Sequence, residues 1–255
     1  MLARLEKYGP INSHDALKAL ALIIMTIDHV GAYLLTDALW WRAIGRVTFP
    51  VWFFLVGYAR GGRISPELLG FALLLMLGNA LTSVAFFPVN ALVSIILCRL
   101  AVNAAQSRGW ISQYPGECIA ACIALHVLSA PLFEYGTMAI GFALAGRMVR
   151  EGMHGGKLAG IWIVLTGFFI LTQQLAFAFS HLQLSLVVVG TVLCCRYCYR
   201  FRLHPITLPA WLRWPVCVAS RYSLEYYVLH RLAFQAIGAF VLGAWPLGFV
   251  WMAAG

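Results

Sequence analysis

Charged residues are scarce in this chain. Only 11% of its 255 residues are Asp, Glu, Lys or Arg, whereas a soluble domain has about 25%. Hydrophobic residues make up 62%, and the mean hydropathy is +0.84. This composition excludes a soluble enzyme, a disordered chain and a small disulfide scaffold. It predicts an all-α, polytopic integral membrane protein in which residues 1–255 form a single transmembrane helical domain.

Recognisable sequence fingerprints are also missing. The chain has no Walker loop, dinucleotide-binding glycine motif, His-Glu-x-x-His zinc motif or Gly-x-Ser-x-Gly elbow. Its seven cysteines have no spacing that pairs them or completes a ligand set, so we predict no metal site. A proton-driven transporter would require paired acidic residues along a path and often two related halves. The sequence offers neither, which makes that class a weak interpretation.

Acidic residues number 9 and basic residues 18, so the formal net charge is +9. In a membrane protein such an excess is typical of cytoplasmic loops and does not require nucleic-acid binding. When the N-terminus is placed in the cytoplasm, the outer connections near Phe87, Phe133 and His181 contain no Lys or Arg. Arg42 and Arg46 are the exceptions, since they fall at the outer start of the second predicted helix.

The apolar runs predict about nine transmembrane helices, with eight to ten compatible with the length, because a span needs about 20 apolar residues. The first run continues through Asp28 and His29 without a small-residue cleavage site, so we interpret it as an uncleaved span. Glycine and proline mark the breaks. The predicted helices are 16–35, 39–59, 67–87, 89–106, 117–133, 135–150, 158–179, 182–199 and 222–244.

Ionisable side chains within predicted spans indicate function, because an unpaired one in lipid costs several kcal/mol. Asp28 and His29 lie in the first span, where helical geometry lets both face one cavity without facing each other. Arg42 and Arg46 are four residues apart on one face of the second helix, and either can pair with Asp28. The alternatives are a purely structural ion pair and, for Arg42, an interfacial position beside neighbouring tryptophans.

The last predicted span contains a second polar group. Tyr226 and His230 share a helix face, and Glu225 can pair with a nearby arginine. The alternative is a belt of interfacial tyrosines at the start of that helix. Arg99 lies within an apolar run of the fourth span and is therefore another candidate.

Three segments of the sequence resemble the TraX family. They are LKALALIIMTIDHVG at residues 17–31, RVTFPVWFFLVGY at residues 46–58 and YSLEYYVLH at residues 222–230. TraX-like proteins are polytopic inner-membrane proteins of conjugative plasmids, and the family's assigned activity is N-terminal acetylation of the processed pilin subunit. The same segments are loosely similar to membrane acyltransferases that O-acetylate cell-surface sugars.

The resemblance implies a bacterial inner-membrane acyltransferase of pilin maturation in conjugative type IV secretion, acting on the pilin N-terminal amine with acetyl-CoA as donor. Pilin and membrane lipid are the implied partners, with no nucleic acid and no metal. We expect His29 to be the base, Asp28 to stabilise charge or anchor an arginine, and Arg46 to donate to the oxyanion or to a carboxylate, with His230 as a second catalytic candidate. The predicted substrate-binding and cofactor-binding residues are Lys18, Arg42, Arg60, Arg63, Arg99, Arg147, Glu225 and Tyr226.

Two other functions fit the same residues. A transpeptidase that joins the two pilin termini would use the same amine and need no CoA. A non-enzymatic factor for pilin insertion or assembly would need none of these side chains for chemistry. The mass of the pilin distinguishes the first two, since acetylation adds an acetyl group whereas cyclisation of a full-length chain removes water.

Overall fold

The computed structural model describes residues 10–35, 38–59, 62–82 and 85–241. The described residues form helices and two isolated β-bridges, with no strand, which confirms the all-α prediction. The helices are α1 Ser13–Tyr33, α2 Leu39–Arg46, α3 Phe49–Tyr58, α4 Pro66–Leu81, α5 Ala91–Ser107, α6 Trp110–Gln113, α7 Pro115–Ala124, α8 His126–Ser129, α9 Gly136–Arg150, α10 Gly156–Phe177, α11 His181–Tyr199, α12 Ala210–Arg221 and α13 Ser223–Ala236. A π-helical segment, Ile237–Val241, follows α13.

Three of these helices, α1, α10 and α11, are long and apolar enough to cross a membrane. Their outer surfaces are strongly apolar, as the exposed side chains of Ile163 (72%) and Leu175 (76%) illustrate. In water such a surface favours aggregation, whereas in lipid it faces a matching solvent. These features support a membrane protein. The nine predicted spans and their orientation remain predictions.

The helix breaks at prolines follow the sequence signals, with one exception. Pro50 interrupts the predicted helix 39–59, and it occupies the first turn of α3, where a missing backbone N–H is tolerated. The exception is Pro215, which lies inside α12, a helix within the stretch 200–221 that no predicted helix covers. The side chain of Trp211 is 74% exposed, whereas Ser220 at the other end of α12 is buried against α1.

Helices α3 and α9 approach each other closely because of two glycines. A Cβ added at Gly57 would lie 1.7 Å from the carbonyl oxygen of Ala143, and one at Gly146 would lie 2.2 Å from that of Phe54. Small residues at such crossings let helix backbones touch. The aromatic rings of α3 then pack into the main hydrophobic core against α9 and α10.

Helix α1 is the element that the site depends on, since it packs against α2, α3, α12 and α13. It begins with a capping box in which the side chain of Asn12 accepts from the backbone of Asp15, and the Asp15 carboxylate accepts from the backbone of Asn12. At its other half, Gly45 lets α2 lie directly on α1. A Cβ at Gly45 would be 2.1 Å from the Cβ of Asp28.

The glycine crossing predicts a position-specific loss of stability. Gly57→Ala places a methyl group on the backbone of Ala143, so α3 and α9 must separate, and we expect a lower melting temperature and a lower yield of folded protein. Gly167→Ala is the matched control, because Gly167 lies in α10 with no atom within 4 Å of an added Cβ. Alanine is the better helix former by about 1 kcal/mol, so this control is expected to keep or raise the melting temperature. Equal melting temperatures for the two variants would contradict the crossing.

Candidate active site

A buried carboxylate shared by two arginines forms the first part of the site. Oδ2 of Asp28 accepts from Nη1 of Arg42 at 2.7 Å and from Nη2 of Arg46 at 3.0 Å. Nη1 of Arg42 also lies 3.2 Å from the backbone oxygen of Asp28. The three residues are only 4%, 8% and 3% exposed. Charge-assisted bonds of this kind are among the strong ones, and removing one partner leaves a buried charge.

Aromatic rings cover the two guanidinium groups. The Cζ atoms of Arg42 and Arg46 lie 5.4 Å and 5.0 Å from the ring centre of Phe177 in α10. Arg46 is also 5.7 Å from the ring centre of Tyr135. These are cation–π distances. The α2 arginines are therefore held between the carboxylate of α1 on one side and aromatic rings on the other.

A hydrogen-bonded pair of histidines forms the second part. Nδ1 of His29 lies 2.7 Å from Nε2 of His230, and the residues are 7% and 8% exposed. The ring centres are 4.9 Å apart and the planes are inclined by only 21°. The rings therefore lie edge to edge, with the hydrogen bond close to both ring planes. Helix α13 thus brings His230 against α1, although 201 residues separate the two histidines.

The remaining bond of His230 sets the tautomer of both rings. Nδ1 of His230 is 2.7 Å from the backbone oxygen of Tyr226. A carbonyl oxygen only accepts, so in the neutral pair this nitrogen carries the proton and Nε2 of His230 is an acceptor. Nδ1 of His29 then donates, which leaves the lone pair of His29 on Nε2. No described residue hydrogen-bonds to that nitrogen.

A second buried ion pair lies beside the histidines. Nη2 of Arg231 donates to Oε1 of Glu134 at 3.0 Å, and its other nitrogens donate to the hydroxyls of Tyr227 at 2.9 Å and Tyr33 at 3.1 Å. Arg231 is 2% exposed. The rings of Tyr33 and Tyr227 also contact His29, with centres 5.9 Å and 5.8 Å away. This network fixes the walls around the imidazole.

A cavity of about 230 Å³ runs from these groups along α1. One water needs about 10–15 Å³ by a comparable measure, so the cavity has room for part of an organic molecule. Its α1 wall is a single stripe from His14 through Lys18 and Met25 to Asp28 and His29. With a rise of 1.5 Å per residue, the stripe is about 22 Å long. We call its two limits the Lys18 end and the His29 end.

Comparison with known proteins identifies the family. The profile of the family described as "TraX protein" matches residues 13–237, which include every helix of the site. The chain belongs to the TraX family. It is 31% identical over 182 residues to an uncharacterized protein of Rickettsia prowazekii (strain Madrid E), an alignment that covers 69% of this chain and 73% of the relative. No solved structure matches the chain significantly.

In this TraX family member the four predicted catalytic residues come together. Asp28, His29 and Arg46 line the cavity at the His29 end, and His230 lies directly behind His29. Arg42 pairs with Asp28 but does not line the cavity. Both arginines bind Asp28, whereas the sequence left open which one does.

The predicted binding residues are more scattered. Lys18 and Arg99 line the Lys18 end of the cavity, while Arg147 lines a neighbouring cavity and the side chain of Arg63 is exposed. Glu225 pairs with no arginine among the described residues, so its predicted ion pair is not found. The ring of Tyr226 is 40% exposed, and its hydroxyl bonds to Thr26. Arg60 lies outside the described residues.

The sequence places Tyr33 on the helix face of His29 and Tyr227 on that of Arg231, but it does not select Glu134, Tyr33, Tyr135 or Tyr227 as site residues. Glu134 lies in a connection without basic residues, and a lone acid there was a signal for a distant partner. The tyrosines carried no such signal, since they are common at membrane interfaces. Among the described residues, no three His, Cys, Asp or Glu side chains are grouped as metal ligands.

The shared carboxylate predicts a large effect of one neutral substitution. Asp28→Asn keeps the shape of the side chain but leaves two buried guanidinium groups without their charge partner. Breaking a buried ion pair typically costs about 3–5 kcal/mol, so we expect a marked fall in melting temperature. Glu151→Gln is the control, because the Glu151 pair with Arg147 is partly exposed and such pairs contribute below about 1 kcal/mol. Similar losses from both substitutions would argue against the role of Asp28.

Proposed function

We propose that this chain is a membrane-embedded acyltransferase that acetylates the N-terminal amine of processed conjugative pilin, with acetyl-CoA as donor. The observation that carries the proposal is the histidine pair, which leaves Nε2 of His29 as an unoccupied proton acceptor at the end of a cavity lined by Arg46. Family membership supports the substrate class. The proposed setting is the bacterial inner membrane, with a cytoplasmic N-terminus and lipid around the helices.

His29 has the properties that a general base requires. Amide formation joins the amine nitrogen to the acetyl carbon and breaks the bond from that carbon to sulfur. The amine must lose a proton, which Nε2 of His29 accepts and then returns to the departing thiolate. A neutral imidazole has one lone pair on a ring nitrogen, so it can accept this proton and give it back. His230 is a positioning residue, because its bond to Nδ1 of His29 directs the lone pair of His29 to Nε2.

Arg46 is placed to stabilise the negative charge that develops on the carbonyl oxygen. It lines the cavity together with His29, whereas Arg42 lies behind it. A guanidinium held in a buried site by Asp28 and two rings does not need to reorganise during the reaction. Such preorganised charges contribute strongly to catalysis. Asp28 therefore acts by holding Arg46 in position.

The shape of the cavity suits a donor that enters from the cytoplasm. With the proposed orientation, the Lys18 end faces the cytoplasm, where acetyl-CoA is made. Along α1, His14 lies about 22 Å and Lys18 about 16 Å from His29 at a rise of 1.5 Å per residue, so a long, thin substrate that enters at the Lys18 end can reach the base. The pilin amine lies on the outer side after signal cleavage, and the His29 end is the part of the cavity nearer to that side.

The intact mass of pilin tests the proposal. In cells that contain this protein and its pilin, we expect the wild-type chain to add one acetyl group to the pilin. His29→Gln keeps hydrogen bonding but cannot accept the proton, and losing a general base lowers rates by about 10²–10⁴, so the pilin should remain unmodified. His230→Gln should reduce modification less, since it perturbs only the position of His29.

The control for these variants is His181→Gln, because His181 is exposed at the start of α11 and should leave the pilin acetylated. Protein levels in the membrane are measured in parallel for each variant. A pilin that loses the mass of water in the wild-type strain would establish cyclisation instead. Normal acetylation with His29→Gln would remove His29 as the base.

The two arginines of α2 are expected to differ. Arg46→Lys should abolish acetylation, because a single ammonium cannot reproduce the guanidinium fork that spans Asp28 and the cavity. Arg42→Lys should retain part of the activity, since Arg42 does not line the cavity. Both proteins are compared at equal membrane level by the same mass measurement. Equal activity of the two would show that Arg46 contributes only charge.

A further inference from the structure

A second cavity of about 160 Å³ adjoins the first one. The two cavities share Val56, Ala59 and Arg99 in their walls. The first is lined mainly by apolar side chains at this junction, whereas the second is lined by Arg99, Arg147, Asn103 and Gln106. We call the first cavity the apolar channel and the second the polar chamber. Arg99 lies in the wall of both.

One face of α5 supplies most of the polar side chains that line the polar chamber. Arg99, Asn103 and Gln106 are spaced by four and three residues and so lie on one face of that helix. Opposite this face is the chain at Gly62, where a Cβ would lie 2.1 Å from Oδ1 of Asn103. Nδ2 of Asn103 donates to the Gly62 oxygen at 2.9 Å. The chamber is thus closed on that side by backbone held against an amide.

The two arginines retain donors for a ligand. Arg99 donates from Nη1 to the backbone oxygen of Arg63 at 2.6 Å, and its Nε is buried with no hydrogen-bond partner. Arg147 uses Nε for Glu151 at 2.8 Å, and no described residue bonds to its terminal nitrogens. A buried donor without a partner is uncommon in proteins and indicates a missing acceptor.

We propose that this chamber binds the diphosphate of the acyl donor, with Arg99 and Arg147 as its ligands. Guanidinium groups suit phosphate oxygens because their N–H donors match them in pairs. The pantetheine arm then follows the apolar channel along α1, and the thioester reaches the His29 end. This subsite rests on the proposed function for the identity of the donor. A phospholipid headgroup with its acyl chain shares the same chemistry, and the experiment distinguishes the two.

Binding measurements on the purified full-length protein in detergent test the subsite. Calorimetry uses three probes. CoA contains the diphosphate and the pantetheine arm, inorganic pyrophosphate represents the diphosphate alone, and pantetheine represents the arm alone. In the wild type we expect CoA to bind at least about tenfold more tightly than pantetheine and pyrophosphate to compete with CoA. Arg99→Ala and Arg147→Ala should each weaken CoA binding about tenfold or more, because hydrogen bonds to charged groups are strong. Pantetheine binding should not change.

Arg108→Ala is the matched control, because Arg108 caps the same helix, packs on Trp110 and lines neither cavity. It should bind CoA as the wild type does. Unchanged CoA affinity in either test variant, or an equal loss of CoA and pantetheine binding, would overturn the subsite. The lipid alternative is tested by measuring CoA binding in nanodiscs of phosphatidylglycerol and of phosphatidylcholine. Loss of CoA binding in phosphatidylglycerol alone would overturn the subsite and assign the chamber to a lipid headgroup.

The CoA-binding experiment and the pilin-mass experiment can disprove the subsite and the proposed function independently of each other. CoA binding that depends on Arg99 and Arg147, in a protein that leaves pilin unmodified, would retain the subsite and exclude pilin acetylation. Acetylation of pilin that is unaffected by both substitutions would retain the function and exclude the subsite.

Discussion

The buried carboxylate of Asp28 is the constraint on which the candidate site depends. A carboxylate in this position is unfavourable unless charged donors surround it, and both donors come from α2. Helix α2 approaches Asp28 this closely only because residue 45 is glycine. Since His29 is the next residue of α1, the packing of α2 against Asp28 also fixes the part of α1 that carries the imidazole.

The ion pair of Arg231 and Glu134 fixes the position of α13, which carries His230. It joins α13 to the connection before α9 and orients two tyrosine hydroxyls around His29. Buried ion pairs often contribute more to a unique arrangement than to stability. Here each ion pair involves the residue next to one histidine, Asp28 beside His29 and Arg231 beside His230, and so fixes the helix that carries it. The tautomer itself is set by the bond from Nδ1 of His230 to the Tyr226 oxygen.

Several parts of this arrangement follow from local sequence. Asp28, His29, Arg42 and Arg46 are conspicuous because they interrupt apolar runs, and helical periodicity places the two arginines on one face. Helix α12 was not predictable in this way, since Pro209 precedes it and Pro215 interrupts a short segment of mixed polarity. Glu134 was also missed, because its partner Arg231 lies 97 residues away and no local pattern connects them.

The sequence by itself determined the helical class, the membrane character and the family, and it singled out Asp28, His29, Arg42 and Arg46 as polar groups within apolar runs. Those properties depend on composition and on spacing within one helix, which are local. The tertiary structure decided that two arginines share one oxygen of Asp28, that His230 fixes the tautomer of His29, and that Arg99 and Arg147, but not Arg63, line the polar chamber. Such pairings depend on how closely distant helices approach, and that distance is set by small residues at the crossings, which composition and periodicity do not reveal.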